Sequence, residues 1–130
     1  MKYKNNPLNI RATDSKWIGA IEPKNGFLQF STLVAGVRCG LYLLLRTYKN
    51  RGWKTIEEII SHWAPPEDGN KTQSYIEFVC SYAQVQKDQV YLYLNMNKKY
   101  RVICAMALIE TNFKISYKVF EDAFNKLYNY

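Results

Sequence analysis

With 130 residues, the chain is long enough for one compact domain whose core needs no disulfide or metal, and we predict a single domain over residues 1–130. A hydrophobic share of 48% is typical of a globular protein, and no apolar run reaches the ~18 to 20 residues needed to span a bilayer. The net charge of +7 favours a polyanionic partner. Nucleic acid and an anionic cell-wall polymer both fit, as does a solvated basic surface without a partner, and charge does not choose among the three.

The cysteine and histidine content gives little support to a metal site. Cys39, Cys80 and Cys104 lie in apolar helical patterns, which are typical of small core residues, and their odd number argues against a disulfide framework. The single histidine, His62, has no second ligand at a spacing typical of metal sites, so we expect neither metal nor cofactor. The N-terminus is basic and polar without the apolar segment of a secretory signal. We expect a protein that works inside a cell or particle, or that is exported by another route.

The first third of the chain predicts irregular structure, a small hairpin and one long helix. Residues 15–21 and 26–30 are predicted to pair across a turn that ends in Asn-Gly, because this dipeptide supplies the positive φ of a tight turn. Ser31 is the expected N-cap of a helix that ends near Gly52. Its apolar positions repeat at three-to-four spacing at Leu33, Val37, Leu41, Leu44, Leu45 and Tyr48.

Two helices are predicted in the middle of the chain. Thr55 begins a Thr-x-x-Glu capping box, which predicts a short helix over residues 55–63 that ends before two prolines. The polar turn 64–70 leads to the next helix, for which Asn70 or Thr72 is the expected cap. The apolar stripe of that helix consists of Tyr75 or Ile76, Val79, Cys80 and Ala83.

Two more helices are predicted toward the end of the chain. The apolar run 90–94 is compatible with a strand or a helical turn. A nearly all-apolar helix is predicted over residues 98–112, and Ser116 is expected to cap a final amphipathic helix. The predicted class is therefore mainly α, with five helices and one small β element.

Glu110 is placed unusually for a glutamate. It follows Ile103 and Met106 at helical spacing and precedes Phe113, so the carboxylate falls on the face of the helix that is expected to be buried. A carboxylate that is half-removed from water holds its proton to higher pH, which is the property of a general acid. The alternative is a partly exposed glutamate near a helix C-terminus whose side chain reaches solvent.

Two stretches resemble the lysozyme-superfamily glucosaminidases. Residues 6–19, NPLNIRATDSKWIG, followed by 26–31, GFLQFS, resemble the segment after the catalytic helix of those enzymes. Residues 63–79, which begin WAPP and continue to YIEFV, are similar to a later aromatic element of the same family. Order and spacing agree over roughly residues 6–80.

The helix with the catalytic glutamate is missing from the front of this pattern. Residues 105–113, AMALIETNF, are similar to that helix, so the resemblance implies a circularly permuted lysozyme-like domain whose catalytic helix is C-terminal. Permutation is physically tolerable because the termini of a domain often lie close together at its surface.

The chain also resembles a group of small phage proteins described as virion-associated or lytic. These proteins have Asn-Asn-Pro-Gly-Asn-Ile-Arg near their start and Trp-Ala-Pro-Pro-x-Glu-Asn-x-Thr-x-x-Tyr in the middle. This sequence departs from them at Leu8 and at residues 68–70, which concerns loop shape more than chemistry.

The resemblance implies cleavage of the β-1,4 glycan of peptidoglycan, by a lytic transglycosylase, muramidase or glucosaminidase. Glu110 would protonate the glycosidic oxygen, and Tyr75 would stabilise charge or orient the substrate. Glycosidases of the usual design need a second carboxylate roughly 5 to 9.5 Å away, for which Glu22 is the candidate, with Glu67 and Asp68 as alternatives. If none serves, a transglycosylase needs only one acid. The expected substrate-binding residues are Asn9, Arg11, Trp17, Trp63, Glu67 and Asn70.

Two other functions remain open. One is a catalytically silent protein of the same fold that acts as a virion structural or wall-binding component. The other is a small basic nucleic-acid-binding module, although no helix-turn-helix, zinc finger or RNP strand is found, so neither nucleic acid nor membrane is an expected partner. We expect a monomer in isolation that binds peptidoglycan glycan strands, with other virion proteins as further candidate partners. Its expected location is the phage virion, or the host cytoplasm before release.

Overall fold

The computed structural model describes residues 1–127, and its fold is mainly α-helical with one two-stranded antiparallel sheet. This confirms the predicted α+β class. The chain forms two compact units: unit 1 contains residues 1–42 and the chain from Ala107 onward, and unit 2 contains Leu43–Met106. No helix in the described part is both long and apolar enough to cross a membrane. The lysozyme-like arrangement, its permutation and the single domain stay predictions.

The β-hairpin of unit 1 forms around the predicted Asn-Gly turn. Strand β1 spans Ala20–Lys24 and strand β2 spans Phe27–Phe30. Asn25 and Gly26 connect them with φ angles of 53° and 81°, the positive values of a type I′ turn. The sequence predicts pairing for residues 15–21, but β1 begins only at Ala20. Residues 15–19 therefore lie outside the observed strand.

The register of the hairpin is interrupted near its proline. Ala20 pairs with Phe30 and Lys24 with Phe27, and the irregularity lies between Ile21 and Lys24. Pro23 lies in this interval, where its missing N–H removes no regular ladder hydrogen bond.

The N-terminal segment of unit 1 is held against β2 by the fully buried Asn6. Its Nδ2 donates to the carbonyls of Ile10, at 3.0 Å, and Leu28, at 2.8 Å, while its Oδ1 accepts from the Ile10 N–H at 2.9 Å. The side chain therefore satisfies backbone groups on both segments, as buried polar groups require.

Helix α1 spans Leu33–Tyr42, and the chain continues in unit 2 through a π-helical turn, Leu43–Thr47, and a short helix α2, Tyr48–Asn50. The predicted cap Ser31 is wrong by one residue. Thr32 is the cap instead, since its Oγ1 accepts from the Ala35 N–H at 3.1 Å. A cap side chain bonds to an N–H two or three residues later, and Thr32 stands three residues before Ala35.

Helix α3 of unit 2 spans Ile56–Trp63 and confirms the predicted capping box. Thr55 Oγ1 accepts from the Glu58 N–H at 3.1 Å, and the Glu58 carboxylate accepts from the Thr55 N–H at 3.0 Å. Both partners of the box satisfy N–H groups that the first turn of a helix leaves without intrahelical acceptors.

Helix α4 of unit 2 spans Thr72–Ala83 and packs against α3. The predicted cap, Asn70 or Thr72, is wrong. Lys71 is the N-cap and makes no side-chain cap bond, while Asn70 Nδ2 donates to the Pro65 carbonyl and Thr72 Oγ1 donates to the Ala64 carbonyl. Both side chains are used to close the preceding turn, which competes with capping for the same polar atoms.

Residues 90–94 form a helical turn rather than a strand. A 3₁₀ turn spans Tyr91–Tyr93, and Lys99 Nζ donates to the carbonyls of Leu92 and Leu94. Because the Lys99 side chain is buried, the pKa of its ammonium lies below the ordinary value.

Two helices complete the described chain. Helix α5 spans Met96–Thr111, close to the predicted 98–112, and α6 spans Tyr117–Asn125. Ser116 caps α6 as predicted, since its side chain accepts from the Val119 N–H at 3.2 Å. In unit 1, α6 packs against α1.

Candidate active site

Glu110 lies in the last turn of α5. Ile103 and Met106 are fully buried, whereas Glu110 is half-buried and the neighbouring Ile109 is 39% exposed. The carboxylate therefore lies where a buried helix face reaches the surface. That position leaves it accessible to a ligand while part of its side chain is removed from water.

Glu110 lines a cleft in unit 1 with a volume of about 630 Å³. Such a volume is within the ordinary range for small-ligand sites. Glu110 is the only acidic residue among the described residues that line it. The walls consist of the N-terminal segment, the hairpin and the end of α5, with lining residues Met1, Lys2, Tyr3, Asn9, Phe27, Leu108, Ile109, Glu110, Thr111 and Asn112.

Asn9 holds the backbone of Glu110. Its Nδ2 donates to the Glu110 carbonyl at 2.9 Å, which is a carbonyl of the last helical turn without an intrahelical donor. Asn9 has a φ of 51°, a conformation that asparagine tolerates better than most residues. Its buried Oδ1 has no hydrogen-bond partner among residues 1–127. The predicted contact of Asn9 with substrate stays a prediction.

A second hydrogen bond joins the same two segments. Thr111 Oγ1 donates to the Pro7 carbonyl at 2.8 Å and lies 3.1 Å from the Ala107 carbonyl of its own helix. Two hydrogen bonds therefore join residues 7–9 to the last turn of α5, which carries Glu110.

Aromatic rings with cations beside them form another part of the cleft lining. Tyr3 and Phe27 stack with their ring centroids 4.4 Å apart, and both line the cleft. The Arg11 guanidinium lies 5.0 Å from the centre of the Phe27 ring, and Lys2 Nζ lies 5.7 Å from the centre of the Tyr3 ring. The predicted binding residue Arg11 therefore lies beside the cleft wall.

The other predicted residues of unit 1 are not among those that line the cleft. Glu22 is an exposed residue of β1, and its backbone carbonyl accepts from Gln29 Nε2 at 3.1 Å. Trp17 is half-buried and packs edge-on against Tyr42, with 5.5 Å between ring centroids. Their roles as second acid and substrate platform stay predictions.

Unit 2 holds the remaining predicted residues. Tyr75 is 6% exposed on α4, and Trp63 is half-buried at the end of α3 with its ring edge toward Tyr48, at 6.2 Å. Glu67 and Asn70 are exposed in the loop between those helices. A cleft of about 520 Å³ adjoins this loop, lined by Ser61, Pro66, Lys71, Thr72, Gln73 and Ser74.

The described cysteines are poorly suited to nucleophilic chemistry. Cys39 and Cys104 are buried and Cys80 is half-buried. Burial raises the pKa of the Cys39 and Cys80 thiols, which lowers the thiolate fraction near neutral pH. Among residues 1–127, no group of three His, Cys, Asp or Glu side chains is placed to hold a metal ion.

Sequence reasoning missed three features of the cleft: the stack of Tyr3 on Phe27, Lys2 beside it, and the bond from Asn9 to the Glu110 carbonyl. Each depends on contacts between segments far apart in the chain. The only local signal was the asparagine-rich N-terminus, since asparagine tolerates positive φ and Asn5 and Asn9 both adopt it.

Comparison with known proteins gives one curated phage relative. No family model matches the chain. The chain is 38% identical over 91 residues to Protein P5 of Pseudoalteromonas phage PM2. The match covers 65% of this chain but 56% of Protein P5, so the chain spans little more than half the length of this relative. The chain is therefore similar to a phage protein over the larger part of its length.

Proposed function

We propose that this protein is a phage-encoded, virion-associated enzyme that cleaves the glycan strands of peptidoglycan, with Glu110 as general acid and base. The observation on which the proposal mainly rests is that the half-buried residue Glu110 lines a cleft. Glycosidic bonds need protonation of the leaving oxygen, which a carboxyl group can supply. The similarity to a phage protein agrees with a role in infection.

In the proposed reaction, Glu110 protonates the glycosidic oxygen as the sugar gains oxocarbenium character. Asn9 and Thr111 keep the end of α5 in place, so that the carboxylate does not move with the loop that follows. The carboxylate left after protonation then accepts a proton from the group that attacks the sugar carbon.

A single acid among the lining residues favours lytic transglycosylation over hydrolysis. In a transglycosylase the muramoyl 6-hydroxyl attacks within the same sugar, and one residue serves as acid and then as base. Mass analysis of released muropeptides distinguishes the two routes, because transglycosylation gives 1,6-anhydro ends and hydrolysis gives reducing ends.

The test is Glu110→Gln, which keeps the shape of the side chain and replaces the acidic carboxyl group with an amide that cannot act as a general acid. We expect lysis of purified cell walls, followed by turbidity, to fall by about 100-fold or more, the usual effect of losing a general acid. Glu77→Gln is the matched control, since Glu77 is exposed on α4 and is not among the residues lining the cleft. Unchanged lysis by a folded Glu110→Gln protein would contradict the proposed role of Glu110.

The second candidate is a catalytically silent wall-binding or structural virion protein. The lack of a second carboxylate among the described cleft residues favours it. It predicts that the unaltered protein binds walls from several bacteria without lowering their turbidity and without releasing muropeptides.

A further inference from the structure

The cleft beside Glu110 has a basic margin. Lys2 lines it, and Arg11 lies against Phe27, one of its wall residues. Both side chains belong to exposed residues. Among residues 1–127, neither is found in an ion pair with a carboxylate.

Arg11 is held in place rather than extended freely into solvent. Its backbone forms an antiparallel bridge with Phe27, and the next residue, Ala12, donates its N–H to the Gly26 carbonyl at 2.8 Å. The guanidinium then lies 5.0 Å from the centre of the Phe27 ring. A guanidinium fixed in this way loses less freedom on forming paired hydrogen bonds to a carboxylate.

Lys2, in the N-terminal segment, lies beside the same pair of stacked rings as Arg11. Its ammonium lies 5.7 Å from the centre of the Tyr3 ring, and Tyr3 stacks on Phe27. The two cations are therefore linked through one pair of stacked rings. Two cations held over these rings at one margin of the cleft suit a ligand that carries a negative charge.

We propose that Lys2 and Arg11 form a carboxylate-binding subsite, so that the cleft prefers glycans bearing lactyl or peptide carboxylates over neutral glycans of the same backbone. The inference rests on the proposed function, because it names the substrate class of the same cleft. The positive charge of the two side chains attracts an anionic glycan to the entrance of the cleft.

The test measures binding rather than cleavage. Glycan strands freed of teichoic acid and peptides retain their lactyl carboxylates, and treatment of a second portion with carbodiimide and methylamine converts these groups to neutral amides. The protein is used with Glu110→Gln as background, so that strands stay intact. We expect Lys2→Gln and Arg11→Gln each to weaken binding of the carboxylated strands by about threefold, the scale of an exposed ion pair, and to leave binding of the amidated strands unchanged.

Lys24→Gln is the matched control, since Lys24 is an exposed cation of β1 that is not among the lining residues. Equal binding of carboxylated and amidated strands would overturn the proposed subsite, as would an equal loss with Lys24→Gln. Absence of binding to either strand would overturn it as well. A preference for carboxylated strands that depends on Lys2 and Arg11 supports the subsite even if the unaltered protein proves unable to cleave them, so the two proposals fail separately.

Discussion

At the scale of single residues, two asparagines of the N-terminal segment hold backbone groups of β2 and of α5 in place. Asn6 makes one hydrogen bond to Leu28 of β2 and two to Ile10 of its own segment, and Asn9 reaches the Glu110 carbonyl. An amide has both a donor and an acceptor and no charge, so it can pair with buried backbone groups at a smaller desolvation cost than an ion. Asn9 thus holds the backbone of Glu110.

Replacing Asn9 separates its two contributions to stability. Asn9→Gly removes the hydrogen bond but keeps access to the φ of 51°, and we expect a loss of about 1 kcal/mol in the free energy of unfolding. Asn9→Ala also forces an alanine into the left-handed region, which adds about 1 to 2 kcal/mol. Urea denaturation measures both. The explanation is wrong if the alanine variant is as stable as the glycine variant.

At the scale of elements, helix ends are fixed by side chains close in sequence, and helix packing by close contacts from distant segments. The capping box of α3 joins Thr55 and Glu58, three residues apart. Helix α1 instead packs against the N-terminal segment through two glycines. A β-carbon at Gly36 would lie 1.8 Å from the Asn5 carbonyl oxygen, and one at Gly40 would lie 2.3 Å from Leu8 Cδ1. The first arrangement follows from local sequence, whereas the second requires the folded chain.

The two glycines of α1 offer a matched pair. At Gly36 the obstacle is backbone, so Gly36→Ala is expected to lower the free energy of unfolding by about 3 kcal/mol. At Gly40 the obstacle is the end of a leucine side chain, and the better helix propensity of alanine offsets part of the cost. We therefore expect Gly40→Ala to cost about 1 kcal/mol. Equal thermal unfolding of the two variants would argue against the close approach at Gly36.

The capping box also makes stability depend on pH. Hydrogen bonds from the N–H groups of Thr55 and Lys54, and from the Thr55 hydroxyl, hold the pKa of Glu58 below its ordinary value. A lowered carboxyl pKa contributes stability above the pKa of the unfolded chain, and this contribution disappears as the pH falls through the lowered value. NMR titration of Glu58 checks the direction. Thr55→Ala should move the pKa back up and cost about 1 kcal/mol of stability; an unchanged Glu58 titration in that variant would be the contrary result.

At the scale of the whole molecule, the net charge of +7 is expected to govern the approach to an anionic wall. Such attraction is screened beyond about 10 Å at 0.1 M salt and about 3 Å at 1 M. The bound fraction in sedimentation with purified walls should therefore fall steeply between these concentrations. Chitin particles, which are neutral, serve as control and should show a much weaker dependence. Equal salt dependence on both materials would mean that wall charge is not recognised.

The parts of the fold that could be predicted from sequence are those decided by neighbours in the chain. The Asn25-Gly26 turn, the capping box of α3 and the Ser116 cap each involve residues within four positions of one another. The caps at Ser31 and Asn70 were predicted wrongly because several polar side chains stood close together, and only the folded turn decided which atom each would bind.

The sequence by itself determined that Glu110 follows Ile103 and Met106 at helical spacing in one helix, because helical periodicity follows from the backbone geometry of α5. Only the tertiary structure decided what surrounds it. Asn9 reaches the Glu110 carbonyl across 101 residues, and Thr111 reaches Pro7 across 104. Pairings at such separations depend on the packing of the whole of unit 1, and no local pattern of residues specifies them.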